Sequence, residues 1–569
     1  MSEHPWIKSY PAGLRWDLPL QQSPVFELLD NAAAKWGDRP ALDFMGKKTT
    51  YAELQDLANR AAKGFQKLGV KPGVNVGLYL PNTPHYAICF FGILKAGGTV
   101  VNYSPLDAEK ALEHKVDDSD TDIIVTLDVV TLYPQMKNLL SRTHLKKLVI
   151  GNIPDMTPDP AAMRGYLAHA RQLSAVPADD AHVLFSDLLD NDGRYQPVAV
   201  NDPASTLAVL QYTGGTTGLP KGAMLTHGNL STACHQIFAT IDIEPRVLEE
   251  GKERILAVLP LFHIYALAVN LLLGVRIGAE LILHMRFEID AVVKDLAAKK
   301  VSIFPGVPTM YAALINYPDV ASFDLRALRF CCSGGAPLPA EVDQAFQRLT
   351  NCRLVEGWGM TETCASGTFT PVFGKQNAGA CGMPSVGVTI KFASVEDPTQ
   401  YVACGQRGEI CISGPNIMQG YWKNPQATAE SLTTDGFFRT GDVGYMDQDG
   451  FVHIVDRIKD MILCGGYNVY PRIVEEAIYC HPSVAEVCVI GIHDEYRGQS
   501  PKAFIVLKKG APELTLAQLK EFLKDRIGKH EMVQAMDVRA ELPKTPVGKL
   551  SKKELYAEEE KQKELASVA

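Results

Sequence analysis

From Ile255 to Val275 the chain reads ILAVLPLFHIYALAVNLLLGV, with no charge between Arg254 and Arg276. So long an apolar stretch must leave water, either in a bilayer or in a large protein core. Pro260 near its start has no N–H to give a helix, and His263 and Asn270 place polar atoms further along. The expectation is a strand ending at Pro260, a loop through His263 and a buried helix, without a membrane span. The chain can supply such a core. It has 569 residues, 46% hydrophobic and 21% charged, which is ordinary globular usage and excludes disordered, collagenous and disulfide-scaffold classes. At roughly 150 residues per domain, about three or four structural units are expected. The formal net charge is −9, which gives no global reason to bind nucleic acid. The 12 cysteines show no C-x-x-C pair and no zinc spacing, so reduced, mostly buried thiols in a cytoplasmic protein are expected. The opening MSEHPWIKSYPAG has no apolar region of the secretory kind.

The rest of the chain alternates strand, turn and helix. Val76–Leu80 reads as a strand, an apolar helix follows from about Pro84 to Gly97–Gly98, and Thr99–Tyr103 reads as a β-branched strand. Ile289, Val292, Val293 and Leu296 lie on one helical face, with a strand at Val301–Phe304 after it. Leu328–Cys332 reads as another strand, followed by a helix with Val342, Phe346 and Leu349 on one face. This pattern predicts βαβ units, with sheets covered by helices. Residues 150–200, rich in proline, read as an insertion or connector. From Gly382 to about Asp456, short strands between Gly and Asp turns predict a β-rich subdomain. The last part reads as α+β: a helix near Arg472–Tyr479, strands Val484–Ile492 and Ala503–Leu507, and a helix with Leu516, Leu519 and Leu523. His530-Glu531-Met532-Val533-Gln534 lacks the second histidine of H-E-x-x-H and reads as surface helix. No G-x-S-x-G occurs, which disfavours a serine hydrolase.

The strongest local signal follows the apolar run Leu207–Leu210. It is Tyr212-Thr213-Gly214-Gly215-Thr216-Thr217-Gly218-Leu219-Pro220-Lys221-Gly222. Gly214, Gly215 and Gly218 let backbone amides approach a ligand, and Thr213, Thr216, Thr217 and Lys221 add donors. That is what a polyphosphate needs. The spacing fits neither a Walker loop nor G-x-G-x-x-G. Taken alone it could equally be an ordinary Gly/Thr turn.

In order along the chain come Ser333-Gly334-Gly335-Ala336-Pro337, Gly357-Trp358-Gly359-Met360-Thr361-Glu362, Thr440-Gly441-Asp442, Asp456-Arg457-Ile458-Lys459-Asp460, Gly465-Gly466-Tyr467-Asn468-Val469 and Pro543-Lys544-Thr545-Pro546-Val547-Gly548-Lys549. Together with the glycine–threonine loop, these resemble the motifs of the adenylate-forming superfamily: acyl-CoA synthetases, adenylation domains of peptide synthetases, and luciferases. The resemblance runs from about residue 25 to 555. It implies that the glycine–threonine loop holds phosphates and that Gly335, Ala336 and Pro337 run along adenine. Gly357, Trp358, Gly359 and Met360 would border the purine, with Trp358 stacking on it. Thr361 would reach the α-phosphate and Glu362 would hold Mg²⁺. Asp442 would accept from the ribose hydroxyls, supported by Arg457. Lys459 would be the hinge, Gly465 and Gly466 would face the thiol channel, and Lys549 would be the catalytic cation. His263 and Tyr265 match the segment between the acyl site and the thiol tunnel. Gly306, Val307, Met310 and Tyr311, with Ser333 and Gly334, are the expected acid-pocket walls.

The chemistry agrees. A carboxylate is a poor acylating agent until AMP gives it a leaving group. The transition state then gathers negative charge on the α-phosphate and calls for a cation and a metal. Read singly, each residue has a plainer role: Glu362 a helix-start carboxylate, Trp358 core, Lys549 one lysine of a charged tail, His263 a satisfied core histidine. Gly214 stands where many members have serine, and Trp358 replaces the commoner tyrosine.

The expected fold class is α/β. It has a large N-terminal body of βαβ sheets plus a β-rich subdomain (1–456), and a small mobile α+β C-terminal domain (457–569) turning at Lys459. The expected reaction uses ATP, Mg²⁺ and CoA to turn a fatty acid into its acyl-CoA through an acyl-adenylate. The sequence looks most like bacterial long-chain fatty acid–CoA ligases. A medium-chain, dicarboxylic or aryl acid, or a carrier protein in place of CoA, stays open, as does a nucleotide-binding protein without catalysis. A long-chain acid would come from a membrane, so peripheral membrane contact is expected as an option. A lysine acetyltransferase acting on Lys549 is another.

Overall fold

The computed structural model describes residues 4–213, 220–377, 379–545 and 550–568. It divides into two compact units, one of residues 1–389 and 413–430, the other of residues 390–412 and 431–569.

Among the described residues the first unit holds two seven-stranded sheets. One runs Leu354–Glu356, Phe330–Ser333, Ile303–Gly306, Arg254–Ala257, Glu280–Leu283, Pro40–Phe44, Lys47–Thr50. The other runs His182–Leu184, Lys147–Gly151, Thr121–Leu127, Asn75–Leu78, Thr99–Asn102, Leu207–Thr213, Lys221–Thr226. In each, all neighbours are parallel except at one edge, where Lys47–Thr50 and Lys221–Thr226 return antiparallel. Parallel sheets need cover on both faces, which is why their strands read as unbroken apolar runs. The helix Pro84–Lys95 supplies part of that cover and is buried at every position.

The uncharged stretch folds as expected. Strand Arg254–Ala257 precedes Pro260, and a continuous helix follows, Ile264–Ala266, then a π-helical turn Leu267–Leu272, then Leu273–Arg276. Leu267, Leu271, Leu272, Leu273 and Val275 are completely buried, each worth roughly 1.5–3 kcal/mol. No helix of the described residues is long and apolar enough to cross a membrane. None of the 12 cysteines, all among the described residues, is in a disulfide, and most are buried.

Two expectations need correction. Residues 150–200 are not a loose connector. They carry helix Pro160–His169 and strand His182–Leu184, which closes one edge of the second sheet beside Lys147–Gly151. The strand is short and half-exposed, so no apolar run announced it. His530–Gln534 is turn and extended chain rather than helix, and the His530 ring lies against Tyr467 at 4.9 Å.

The second unit contains a four-stranded sheet in the order Thr389–Ala393, Gly408–Ser413, Phe438–Met446, Val452–Arg457, the last three antiparallel to one another in turn. Its other sheet is built on the long pair Val484–Asp494 and Gly498–Leu507. Helices Pro471–Tyr479 and Leu516–Leu523 cover it through Val474, Ile478, Leu519 and Leu523.

Candidate active site

In the first unit, the candidate residues gather where parallel strands end. Gly306, Ser333 and Glu356 stand side by side in register at the carboxyl ends of three neighbouring strands, the position where α/β sheets bind ligands. The segments that follow are tied together. The Gly334 amide donates to the Gly306 carbonyl at 3.2 Å and the Gly357 amide to the Ser333 carbonyl at 3.3 Å. Glu356 accepts the Leu338 amide at 3.0 Å, fixing the far end of the loop that carries Gly335, Ala336 and Pro337. The buried Ser333 hydroxyl has no partner among the described residues.

Trp358 is 9% exposed. Its carbonyl accepts the amides of Gly367 and Thr368, and its own amide donates to the Thr368 hydroxyl. A Cβ on Gly367 would sit 2.6 Å from the indole, so only glycine lets the ring lie there. Gly359 and Met360 lead into the turn Thr361–Thr363. Glu362 in that turn is 5% exposed. Its carbonyl accepts the Met418 amide at 2.8 Å, and its Oε1 accepts from the Tyr421 hydroxyl at 2.8 Å. Asn416 reaches back to the carbonyls of Thr363 and Ser366.

Thr213 and Lys221 face each other at the open end of an antiparallel pair. Gly214, Gly215, Thr216, Thr217 and Gly218 lie outside the described residues. The Lys221 ammonium stands 5.1 Å over the Tyr421 ring.

His263 begins the buried helix, and its Nδ1 accepts the Tyr265 amide at 3.2 Å. In a neutral ring the proton is then on Nε2. The Tyr265 hydroxyl donates to the Cys332 carbonyl at 2.9 Å. Burial pushes the Cys332 thiol up to about 11, so it stays protonated. Val307 caps the helix Pro308–Ile315, which carries Met310 and Tyr311. Tyr311 is wholly buried, its ring against Phe304 and Phe346 and its hydroxyl within 2.9 Å of the Phe304 and Cys332 carbonyls.

The loop before His263 is held by buried amides that the sequence did not single out. Asn82 donates to the carbonyls of Ala257 and Leu259 and accepts from the Leu261 amide. Asn102 donates to Gln211, which donates to the Phe262 carbonyl, both at 2.8 Å. Gln211 lies two residues before Thr213, so the strand that leads to the glycine–threonine loop also fixes the approach to His263. Isolated amides in apolar strands are the one signal that could have found them.

In the second unit, Asp442 and Arg457 are paired across two strands, Oδ1 to Nε 3.0 Å. Asp442 is buried and Arg457 half-exposed. Lys459 lies in the turn Ile458–Asp460. Burial, then Arg457, lowers its pKa. Gly465 and Gly466 make the turn between Ile462–Cys464 and Tyr467–Val469. Lys549 lies outside the described residues.

Among the described residues no group of three or more His, Cys, Asp or Glu side chains is placed to hold a metal ion. A carboxylate such as that of Glu362 is a hard oxygen ligand of the kind that holds a magnesium ion carried on nucleotide phosphates.

Residues 29–422 match the family described as AMP-binding enzyme, and residues 473–549 its C-terminal domain. A long-chain-fatty-acid–CoA ligase of Bacillus subtilis is 37% identical over 564 residues, 98% of each chain. One from Salmonella typhimurium is 34% identical over 97% of this chain and 98% of its own. Among solved structures, the o-succinylbenzoate coenzyme A synthetase of Bacillus subtilis, in complex with ATP and magnesium ion, matches with a TM-score of 0.74 at 25% identity, covering 93% of this chain and 98% of its own.

Proposed function

The chain belongs to the family of AMP-binding enzymes, and on that premise we propose that it is an ATP-dependent ligase that converts a long-chain fatty acid to its acyl-CoA through an acyl-adenylate, releasing pyrophosphate and AMP. The observation that carries the choice of acid is a continuous apolar cluster. Tyr265, Cys332 and Ala365 pack against a buried cluster that includes Ala268, Val269, Ile303, Phe330, Val355, Ile241 and Ile277. Ala365 is three residues from Glu362, so the surroundings of an acyl group activated at this turn are hydrocarbon. An amino acid or a second carboxylate would want a charged partner there.

In this reading Trp358 offers a face to adenine and Asp442, oriented by Arg457, accepts from the ribose. The loop from Thr213 to Lys221 donates to the phosphates, and Thr361 to the α-phosphate. Mg²⁺, when bound with ATP, neutralises phosphate charge, and Glu362 is its protein ligand. Lys549 supplies the cation that stabilises charge as the carboxylate attacks the α-phosphate. The C-terminal residues from 457 turn about Lys459 between the two half-reactions. Gly465 and Gly466 then border the path of the CoA thiol. We also propose a cytoplasmic enzyme that meets its acid at a membrane surface, and that acetylation of Lys549, which removes its charge, switches adenylation off.

A panel of acids from acetate to stearate, with benzoate and succinate, tests this, scored by pyrophosphate release with and without CoA. Each methylene should add up to about 0.8 kcal/mol to specificity until the pocket fills, so kcat/KM should rise at least from butyrate to decanoate, with turnover dependent on CoA. A flat or falling series, a preference for benzoate, or turnover with a carrier protein alone would overturn it.

A further inference from the structure

Residues 418–422 run as an extra strand against Lys221–Thr226. The Gln419 amide donates to the Met224 carbonyl, the Met224 amide to the Gly420 carbonyl, and the Trp422 amide to the Gly222 carbonyl, with Tyr421 bridging Ala223. The same segment holds the turn of Glu362 through the Met418 amide. It therefore touches both the strand that begins at Lys221 and the turn that bears the carboxylate.

Tyr421 makes this contact with side-chain atoms. Its hydroxyl is 2.8 Å from Glu362 Oε1 and its ring lies under the Lys221 ammonium at 5.1 Å. A second set of bonds fixes the residue itself: its amide donates to the Thr428 hydroxyl at 2.9 Å. We infer that Tyr421 is a positioning residue for the metal–nucleotide end of the site, aiming the Glu362 carboxylate with its hydroxyl and steadying Lys221 with its ring.

The chemistry suits the role. An ionised carboxylate only accepts and offers about four lone-pair sites, so the Tyr421 hydroxyl restrains its orientation while occupying one of those sites. A cation over a tyrosine face is attracted by the ring quadrupole, which gives the long Lys221 side chain a preferred place. Partners that orient a metal ligand typically matter about 10–100-fold in metal affinity.

This inference rests on reading Glu362 as the metal carboxylate, and the test separates the two. Mn²⁺ is titrated by its EPR signal into the full-length enzyme with a non-hydrolysable ATP analogue. Tyr421→Phe keeps the ring and loses the hydroxyl. It should weaken Mn²⁺ binding about 10–100-fold, leave the acid KM unchanged and keep the thermal midpoint. The double variant Glu362→Gln/Tyr421→Phe should bind Mn²⁺ no more weakly than Glu362→Gln alone, because the hydroxyl acts through the carboxylate. Wild-type Mn²⁺ affinity in Tyr421→Phe, or additive losses in the double variant, overturns the role of Tyr421 while leaving Glu362 as the ligand. Wild-type affinity in Glu362→Gln overturns the underlying reading instead. If Tyr421→Phe unfolds, the same titration on Tyr421→Trp, which lacks the phenol but keeps an aromatic face, must show the loss.

Discussion

Gly367 and Gly466 are required for opposite reasons, and the two units differ in the same way. At Gly367 any Cβ would strike the Trp358 ring at 2.6 Å, whereas at Gly466, with φ of +84°, nothing lies within 4 Å of where a Cβ would sit. The first is a glycine of crowding, the second of conformation. Around the first, Trp358 and Glu362 are buried and held by hydrogen bonds from neighbouring segments. Around the second, Leu463 and Tyr467 are more than half exposed, and the Gly465 amide is held by the Arg497 carbonyl. The difference teaches that the first unit carries a centre whose parts hold one another still. The second presents a turn whose backbone shape is set but whose surface is open to a partner.

Acid should break the comparison most strongly. Burial pushes His85 down to about 3 and His227 down to about 4, and both belong to the first unit. Each is neutral in the fold, while the unfolded chain takes up protons near 6.5. Their stability is fully present above that value and is lost as pH falls through about 4 and then 3. For His85 alone this is on the order of a few kcal/mol. Asp128, pushed up to about 6 by burial, works the other way and offsets part of it. In the second unit, burial raises Glu475 and Asp456, against the pull of Lys552, so protonation of these two does not oppose the fold; His481 and Asp494, lowered by burial and by backbone hydrogen bonds respectively, oppose it nearer the surface. Hydrogen exchange between pH 6.5 and 4 should show the first unit opening before the second, and His85→Gln should reduce that slope. Equal loss in both units would contradict the assignment.

Next in size is the carboxylate. Glu362→Gln keeps the shape and removes the charge, and pyrophosphate release should fall about 10²–10³-fold, the scale for one oriented charge-stabilising group, with a raised magnesium requirement. Near-normal activity at low magnesium would return Glu362 to a structural role. Smaller effects separate the two glycines. Gly466→Ala places an L residue at positive φ, costing about 1–2 kcal/mol, and should slow CoA-dependent product formation while sparing acyl-adenylate formation. Gly367→Ala displaces Trp358 and should raise the ATP KM. If both variants slow the same half-reaction, the distinction between the units fails.

Much of this was legible in the sequence because apolar periodicity and glycine turns are local. The strand before Pro260, which ends at Ala257, the helix over Ile289–Ala298 and the small C-terminal α+β sheet all announce themselves within a dozen residues. The residues that were not legible act across long separations. Tyr421 meets Glu362 from 59 positions away, and Gln211 meets Phe262 from 51. A single polar side chain in an apolar run carries no period, and only Gly420 with the aromatic pair Tyr421-Trp422 ahead of an Asn-Pro turn hinted at the first. His182–Leu184 was missed because an exposed edge strand need not alternate.

If the enzyme runs its two chemical steps with different residues, Lys549→Ala should damage one of them alone. Acyl-adenylate formation from acid and ATP should fall about 10²–10³-fold, while the thioester rate from supplied acyl-adenylate and CoA should stay near wild type, because Lys549 serves only the first step; a folding defect would harm both. Equal slowing from both starting points, or no slowing from either, would overturn this division of labour.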